Sequence, residues 1–416
     1  MVLPLIDSGS QIVQFLQILS FLLFPILIVF GPRIMVWQAD RKLRDALSDI
    51  EGYHNTSADL FKQHMNVGGN FEQRFESMKN FQFSPPTGLD PAGMVDRLEN
   101  VLDASEDKFQ RFVENHADTE DEEKLADLNM AFKGVMGTQQ IFKVMRHYRE
   151  LINKTQNFQL VGLINMMLPI YKELAEAQKG ATRAFVDQAP TGDGIGPLVA
   201  AKLITEEPEE AAEHIIKSEE EINDQTVHVI KSRGPGARLG KYGEAVETVA
   251  EENDLEAIVT VDAAGKFEGE ETGSVYEGVG VMMGGPGVQK SRIEDVATSR
   301  DIPLEGIVIK QSPPEASKPM KREIYDAYKP AVEKVKQTIS EYDGEVAVIG
   351  VGNTCGVKNT RQETSGVHNK LQKYWDEYEE QEDDDVSYQG LMAMFGGGQA
   401  EQIQEQLNQK MWKLPR

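Results

Sequence analysis

One cysteine, Cys355, in 416 residues excludes an internal disulfide framework and a Cys-based zinc site. A reducing compartment fits that usage. Basic residues are also in deficit: 43 Lys and Arg face 68 Asp and Glu, a formal charge of -25. Such an excess repels phosphate backbones, which excludes nucleic acid as a partner, and it suits a medium of high ionic strength where screening weakens self-repulsion. The chain is too long for one ordinary core, so two or three folded units with tails are expected.

Long apolar runs are lacking except at one place. From Ile12 to Phe30 the chain carries no charge, and only Gln14, Gln17 and Ser20 are polar. That length matches the hydrocarbon core of a bilayer, and Pro25 is tolerated there as a kink. Trp37 stands where an interfacial anchor is expected, while Arg33, Arg41, Lys42 and Arg44 follow the run and no Lys or Arg precedes it. The positive-inside rule then predicts a single-pass membrane anchor over residues 1–37, with the soluble remainder in the cytoplasm and the membrane itself as a partner. A cleaved signal peptide would need a basic start and small residues after the run, and neither is present.

Glycine is scarce over residues 38–188, and stretches such as NVLDASEDKFQRFVENHA and FKVMRHYRELINK repeat apolar residues at helical i, i+3, i+4 spacing. A bundle of four to six helices is expected, interrupted by the Pro- and Gly-rich loop Phe83 to Gly93. The apolar stretch Phe158 to Leu174 is broken by Gln159, Asn165, Tyr171 and Lys172, which favours a buried bundle helix over a second membrane pass. His54, His64, His116 and His147 lack the i, i+4 pairing of a helical metal site.

After Pro190 short apolar runs alternate with helical stretches across glycine-rich joins, the grammar of βαβ units. A three-layer α/β domain with a mainly parallel sheet is expected over residues 189–369. Its strands are read at Thr226 to Ile230, Ala257 to Val261, Val275 to Met282, Gly306 to Ile309 and Val346 to Val351, and its helices near Gly196 to Ile204, Lys241 to Glu252, Ser291 to Arg300 and Lys318 to Tyr342. Ligands of such sheets gather beyond the carboxyl ends of the strands. Four loops there stand out: Pro190 to Pro197, Ser232 to Lys241, Asp262 to Gly273 and Gly350 to Thr360.

Asp193 begins a helix and Asp262 closes a buried-looking strand, so two carboxylates can converge to bind a divalent metal or share a proton. Helix capping for Asp193 and a turn for Asp262 are the structural alternatives. The loop SRGPGARLGK has a glycine spacing one residue too long for a P-loop, and Tyr242 replaces the magnesium-binding hydroxyl. Gly234, Gly236, Arg238 and Lys241, with Arg233, remain candidates for holding an anion, and Gly350, Gly352, Asn353 and Thr354 form the second ligand-binding loop. Gly280 to Gly287 must turn tightly or approach a ligand closely. Cys355 lies inside the second loop with only His368 near it in sequence, and a buried thiol is the simpler reading than a nucleophile.

These loops resemble those of hydrogenase maturation endopeptidases and spore germination proteases. The maturation group opens with a strand and a G-x-G-N-T-like loop, followed directly by G-D-D/E-G-x-G-P and a helix. Here GDGIGPLVAAKL spans Gly192 to Leu203 and VAVIGVGNT spans Val346 to Thr354, so the resemblance implies a circular permutation. It also implies that Asp193 and Asp262 are metal-binding carboxylates of a peptidase. The family's third ligand, a histidine, has no counterpart in GGPGVQKSRIEDV; His228 or His368 would have to come from another element. Over nearly its whole length the chain further resembles an archaeal membrane-anchored domain-of-unknown-function family, DUF1512, through the apolar helix followed by GPRI, the helical middle and the glycine motifs.

Residues 370–416 read as an acidic tail, charged and disordered toward Val386, closed by a short amphipathic helix, Ala400 to Trp412, suited to packing or partner docking. Two functions fit the whole. One is an anchored hydrolase-like domain, peptidase in kind, using Asp193 and Asp262; the other is a non-catalytic scaffold whose loops bind an anion, a peptide terminus or a protein partner.

Overall fold

The computed structural model describes residues 8–86 and 93–379. It divides into two units, Met1–Gln188 and Ala189–Arg416. The loop tip at 87–92, the acidic run beyond 379 and the expected helix at 400–412 lie outside the described residues.

The described residues of the first unit form a bundle of five helices: α1 (Ser8–Lys62), α2 (Phe71–Met78), α3 (Met94–Glu114), α4 (Glu122–Thr155) and α5 (Phe158–Val186). Asp121 and Asn157 cap α4 and α5, each accepting from two backbone N–H groups of the first turn. A stripe of α1, with Val36, Leu43, Leu47 and Ile50, packs on Met145 and Ile152 of α4 and on Val161 and Ile164 of α5. Asp40 fixes the same contact by accepting from Arg149 and Asn153 of α4, both at 2.9 Å. Burial works against its charge, yet the side-chain hydrogen bonds of Asn153, Arg44 and Arg149 win and hold its carboxyl at about 2. The other end of the bundle is sealed by stacked and tilted rings of Phe61, Phe71, Phe75, Phe109, Phe112 and Phe132.

Two expectations are corrected here. Among the described residues no helix is long and apolar enough to cross a membrane, which overturns the single-pass anchor and, with it, the membrane partner, the cell-membrane localisation and the orientation drawn from the positive-inside rule. The run Ile12 to Phe30 is the leading part of α1, whose backbone continues unbroken through a charged stretch to Lys62; the side chains of most of that run lie outside the described residues. The buried helix expected at Phe158 to Leu174 is buried on one face only, since Leu163, Met166 and Ile170 are exposed.

The second unit is a three-layer α/β fold on a seven-stranded sheet ordered β1-β2-β3-β7-β4-β6-β5. The strands are β1 (Glu209–Ala212), β2 (Ile215–Ile222), β3 (Gln225–Ser232), β4 (Leu255–Gly265), β5 (Val275–Val279), β6 (Leu304–Gln311) and β7 (Glu345–Gly350). The sheet is mixed rather than mainly parallel: β3, β7, β4 and β6 run parallel, and β1, β2 and β5 are antiparallel additions at the edges. The unexpected β2 arises because Asn223 and Asp224 both adopt positive φ, 56° and 62°, the conformation of a two-residue hairpin turn. Its charged outer residues, such as Glu219 and Glu221, mask the strand pattern.

On one face lie α7 (Tyr242–Glu252) and α8 (Val288–Arg300), packed through Tyr242, Val246 and Ile293 against Ile258, Ala347 and Ile349. On the other lie α6 (Ile195–Leu203) and α11 (Tyr328–Ile339). Two short helices, α9 (Pro313–Ser317) and α10 (Arg322–Asp326), follow β6. The charged segment after residue 366 forms a helix over 367–379 whose Leu371, Tyr374 and Trp375 are buried. Its Trp375 indole donates to Met320 O at 2.9 Å, and Tyr378 donates to Pro319 O at 3.0 Å.

Candidate active site

The carboxyl ends of β4, β6 and β7 meet the turn that enters α6. Bare backbone is required there. A Cβ on Gly196 would lie 2.1 Å from Val351 O and 2.4 Å from Val261 O, and one on Gly352, whose φ is +136°, would lie 2.0 Å from Asp193 O. The turn Gly192–Gly194 is held from outside as well: Gly192 N–H donates to Lys318 O at 3.1 Å, and Met320 N–H donates to Pro190 O at 2.8 Å.

This packing joins residues far apart in the chain. Asn353 N–H donates to Asp193 Oδ2 at 2.8 Å. Asp262, at the end of the buried part of β4 and 4% exposed, folds its carboxyl toward the strand end and accepts from Ala263 N–H at 2.6 Å. Burial raises Asp193 above the usual carboxylate range, against the opposing effect of the Asn353 N–H. Asp262 is raised well above that range, first by burial and then by the charge of Asp193. Asp262 is buried and Asp193 half-buried; loss of water favours the protonated form of each, and the charge of Asp193 adds to that preference at Asp262. Tyr242 is pushed upward by burial and remains a neutral hydroxyl; it donates to Gly350 O at 2.9 Å and receives Ser232 Oγ at 2.8 Å.

The donor set does not fit a peptidase metal. Among the described residues no group of three or more His, Cys, Asp or Glu could hold an ion. His228 pairs with Glu345 at 2.8 Å near the amino ends of β3 and β7, and His368 sits edge-on to Trp375 in an aromatic cluster with Tyr325. Neither reaches the carboxyl edge as a substitute ligand.

The other predicted residues divide by task. Thr354 Oγ1 lies 2.7 Å from Gly236 O and accepts from Arg238 N–H at 3.2 Å, stapling the two glycine loops together. Gly234 N–H donates to Asn359 Oδ1 at 2.9 Å, and Gly350 lies beneath α6 beside Ala200. Arg238 is buried; burial and then its charge depress His214 below the usual imidazole value. Lys241 Nζ faces Glu213 at 3.6 Å and Glu244 at 4.0 Å. Cys355 is buried, and its N–H donates to Asn353 Oδ1 at 2.9 Å.

Two residues at the turn carry no sequence signal of their own. Gln311 ends β6 and donates through Nε2 to Gly192 O at 3.1 Å. Thr191 pairs with Pro319 across an isolated bridge. Both are buried.

No curated protein and no solved structure matches the chain. Two family models do match. "Protein of unknown function (DUF1512) N-terminal domain" covers residues 17–188, and "Domain of unknown function (DUF1512) C-terminal" covers residues 191–358. The join between them coincides with the boundary between the two structural units at Gln188 and Ala189. Together they take in both folded units, and the chain belongs to the DUF1512 family.

Proposed function

We propose that the α/β unit is a hydrolase-like domain, peptidase in kind, in which Asp193 and Asp262 work as an acid–base pair. The observation that carries this reading is the elevation of Asp262 by burial and by the charge of Asp193. Buried acids without a cationic partner are costly to keep, and they concentrate where proton transfer is needed. Ionised Asp193 takes a proton from water as its oxygen bonds to a carbonyl carbon. Protonated Asp262 supplies the proton that the departing amine takes when the C–N bond breaks. The permuted resemblance to maturation endopeptidases and germination proteases, in a family read as archaeal, supports the same assignment, because the Asn353 contact to Asp193 joins the two half-motifs that those families carry consecutively.

A second reading, a non-catalytic module for an anion or a peptide terminus, draws on buried Arg238 beside the Thr354 staple. Hydrolysis of a mixed peptide substrate separates the two. The acid-pair reading expects Asp193→Asn and Asp262→Asn each to lower the rate by about 10²–10⁴, with chelators having no effect. Full activity in both variants contradicts it. Absence of turnover, together with phosphate or peptide-carboxylate binding lost in Arg238→Gln, establishes the binding module instead.

A further inference from the structure

Three buried side-chain atoms around the Thr191–Gly194 turn have no hydrogen-bond partner: Asn353 Nδ2, Gln311 Oε1 and Thr191 Oγ1. Their residues are 2%, 2% and 1% exposed. Buried polar groups are almost always paired, because leaving one unpaired costs its full desolvation. Thr191 enters this turn, Gln311 bonds to its Gly192 O and Asn353 bonds to its Asp193, so three unpaired atoms from three segments meet the same turn and point to something that pairs with them.

The amide orientations of Asn353 and Gln311 are fixed by their other contacts. Asn353 spends its backbone N–H on Asp193 and its Oδ1 on Cys355 N–H, which leaves Nδ2 as a donor held beside the acid pair. Gln311 spends Nε2 on Gly192 O. Its Oε1 lies 2.5 Å from where a Cβ on Gly192 would stand, and it remains an acceptor. One fixed donor, one fixed acceptor and one hydroxyl that serves as either form a set complementary to a group bearing both C=O and N–H.

We infer that Asn353 Nδ2 and Gln311 Oε1, with Thr191 Oγ1, read an amide: the site takes a secondary carboxamide such as a peptide bond, with its oxygen on Asn353 and its N–H on Gln311. An ester lacks the N–H and leaves Gln311 Oε1 buried and unpaired, so the site discriminates against it. On the acid-pair reading above, on which the catalytic part of this inference rests, Asn353 Nδ2 also faces the negative charge that builds on the carbonyl oxygen.

The test uses the full chain and two small probes, N-methylacetamide and its ester analogue methyl acetate. The readouts are the Asn353 side-chain ¹⁵N–¹H resonances and the Asp193 and Asp262 carboxyl ¹³C resonances. N-methylacetamide is expected to shift the Asn353 amide saturably, with methyl acetate at least about tenfold weaker. Asn353→Asp keeps both the Asp193 and Cys355 contacts while removing Nδ2, and is expected to weaken N-methylacetamide by about tenfold or more. Thr191→Val, which keeps shape and removes only the hydroxyl, should fold as wild type and bind the amide more weakly. Equal binding of amide and ester, or an Asn353 resonance that neither probe moves, overturns the inference. An ordered water on these atoms that N-methylacetamide does not displace does the same. Failure of the acid-pair reading is separate: it shows as two carboxyl titrations independent of each other, whatever the probes do.

Discussion

Ionising one buried carboxyl is costly, and ionising a second beside it costs more. For Asp262 the folded chain therefore holds its proton to higher pH than the unfolded chain, which releases it near 3.8. From that point up to the raised folded value the native state binds more protons, so stability falls as pH rises through the window. Asp262→Asn keeps an oxygen for Ala263 N–H and removes the ionisable group, so the folded chain no longer has to hold a proton that the unfolded chain releases. It should raise the melting temperature at neutral pH by roughly 2–4 °C, the effect of about 1 kcal/mol in a unit of this size, and flatten the slope; calorimetry across pH checks both. Gly352→Ala should have the opposite effect. Its Cβ would press on Asp193 O from a backbone at φ +136°, costing about 3 kcal/mol as read by urea unfolding. At this scale Asp193 and Asp262 were legible because a carboxylate at a helix start or a strand end announces itself in one dimension. Gln311 and Thr191 were not, since an unpaired buried atom is a property of three-dimensional surroundings.

Among the elements, the clearest stability device beside the site is the turn after β6. Ser312 and Glu315 form a capping box that starts α9, and Glu315 also accepts from Lys321 at 3.1 Å and Thr272 at 2.9 Å. Burial opposes its charge, but the Ser312 N–H, Lys321 and Thr272 together hold its carboxyl at about 2. That contribution is complete above the unfolded value of 4.5 and is lost as pH falls toward 2. Glu315→Gln should cost roughly 2 kcal/mol at pH 7 and almost nothing near pH 2; paired denaturant curves at the two pH values measure it. Elements whose residues alternate or repeat strongly, such as β4, β7, α4 and α7, were readable from periodicity. Antiparallel β2 was hidden because charged Lys217, Glu219 and Glu221 occupy its outer face while Glu220 is turned inward. The uncharged run in α1 matched the length of a membrane span, whereas its helix continues into a charged half whose Val36, Leu43 and Ile50 enter the bundle core; run length alone does not register that continuation.

Across the molecule, two units correspond to two family models, and the composition of the chain changes near Pro190. The order of the strands was not readable in the same way. β7 enters between β3 and β4, and only this insertion of the last strand into the middle of the sheet carries Asn353 to Asp193, so the site depends on a pairing at long sequence separation. The segment 189–416 expressed alone should fold and keep the coupled behaviour of its two acids, checked by its unfolding transition and carboxyl resonances; loss of either would show that the site needs the helical unit. Proton sharing between the two acids is read by the ¹³C titration of the Asp193 and Asp262 carboxyls from acid to alkaline pH in wild type and in each Asn variant. Asp262 is expected to titrate well above the ordinary carboxylate range and to move down when Asp193 becomes Asn. Two carboxyls that each titrate near 3.8, indifferent to the other's replacement, would contradict it.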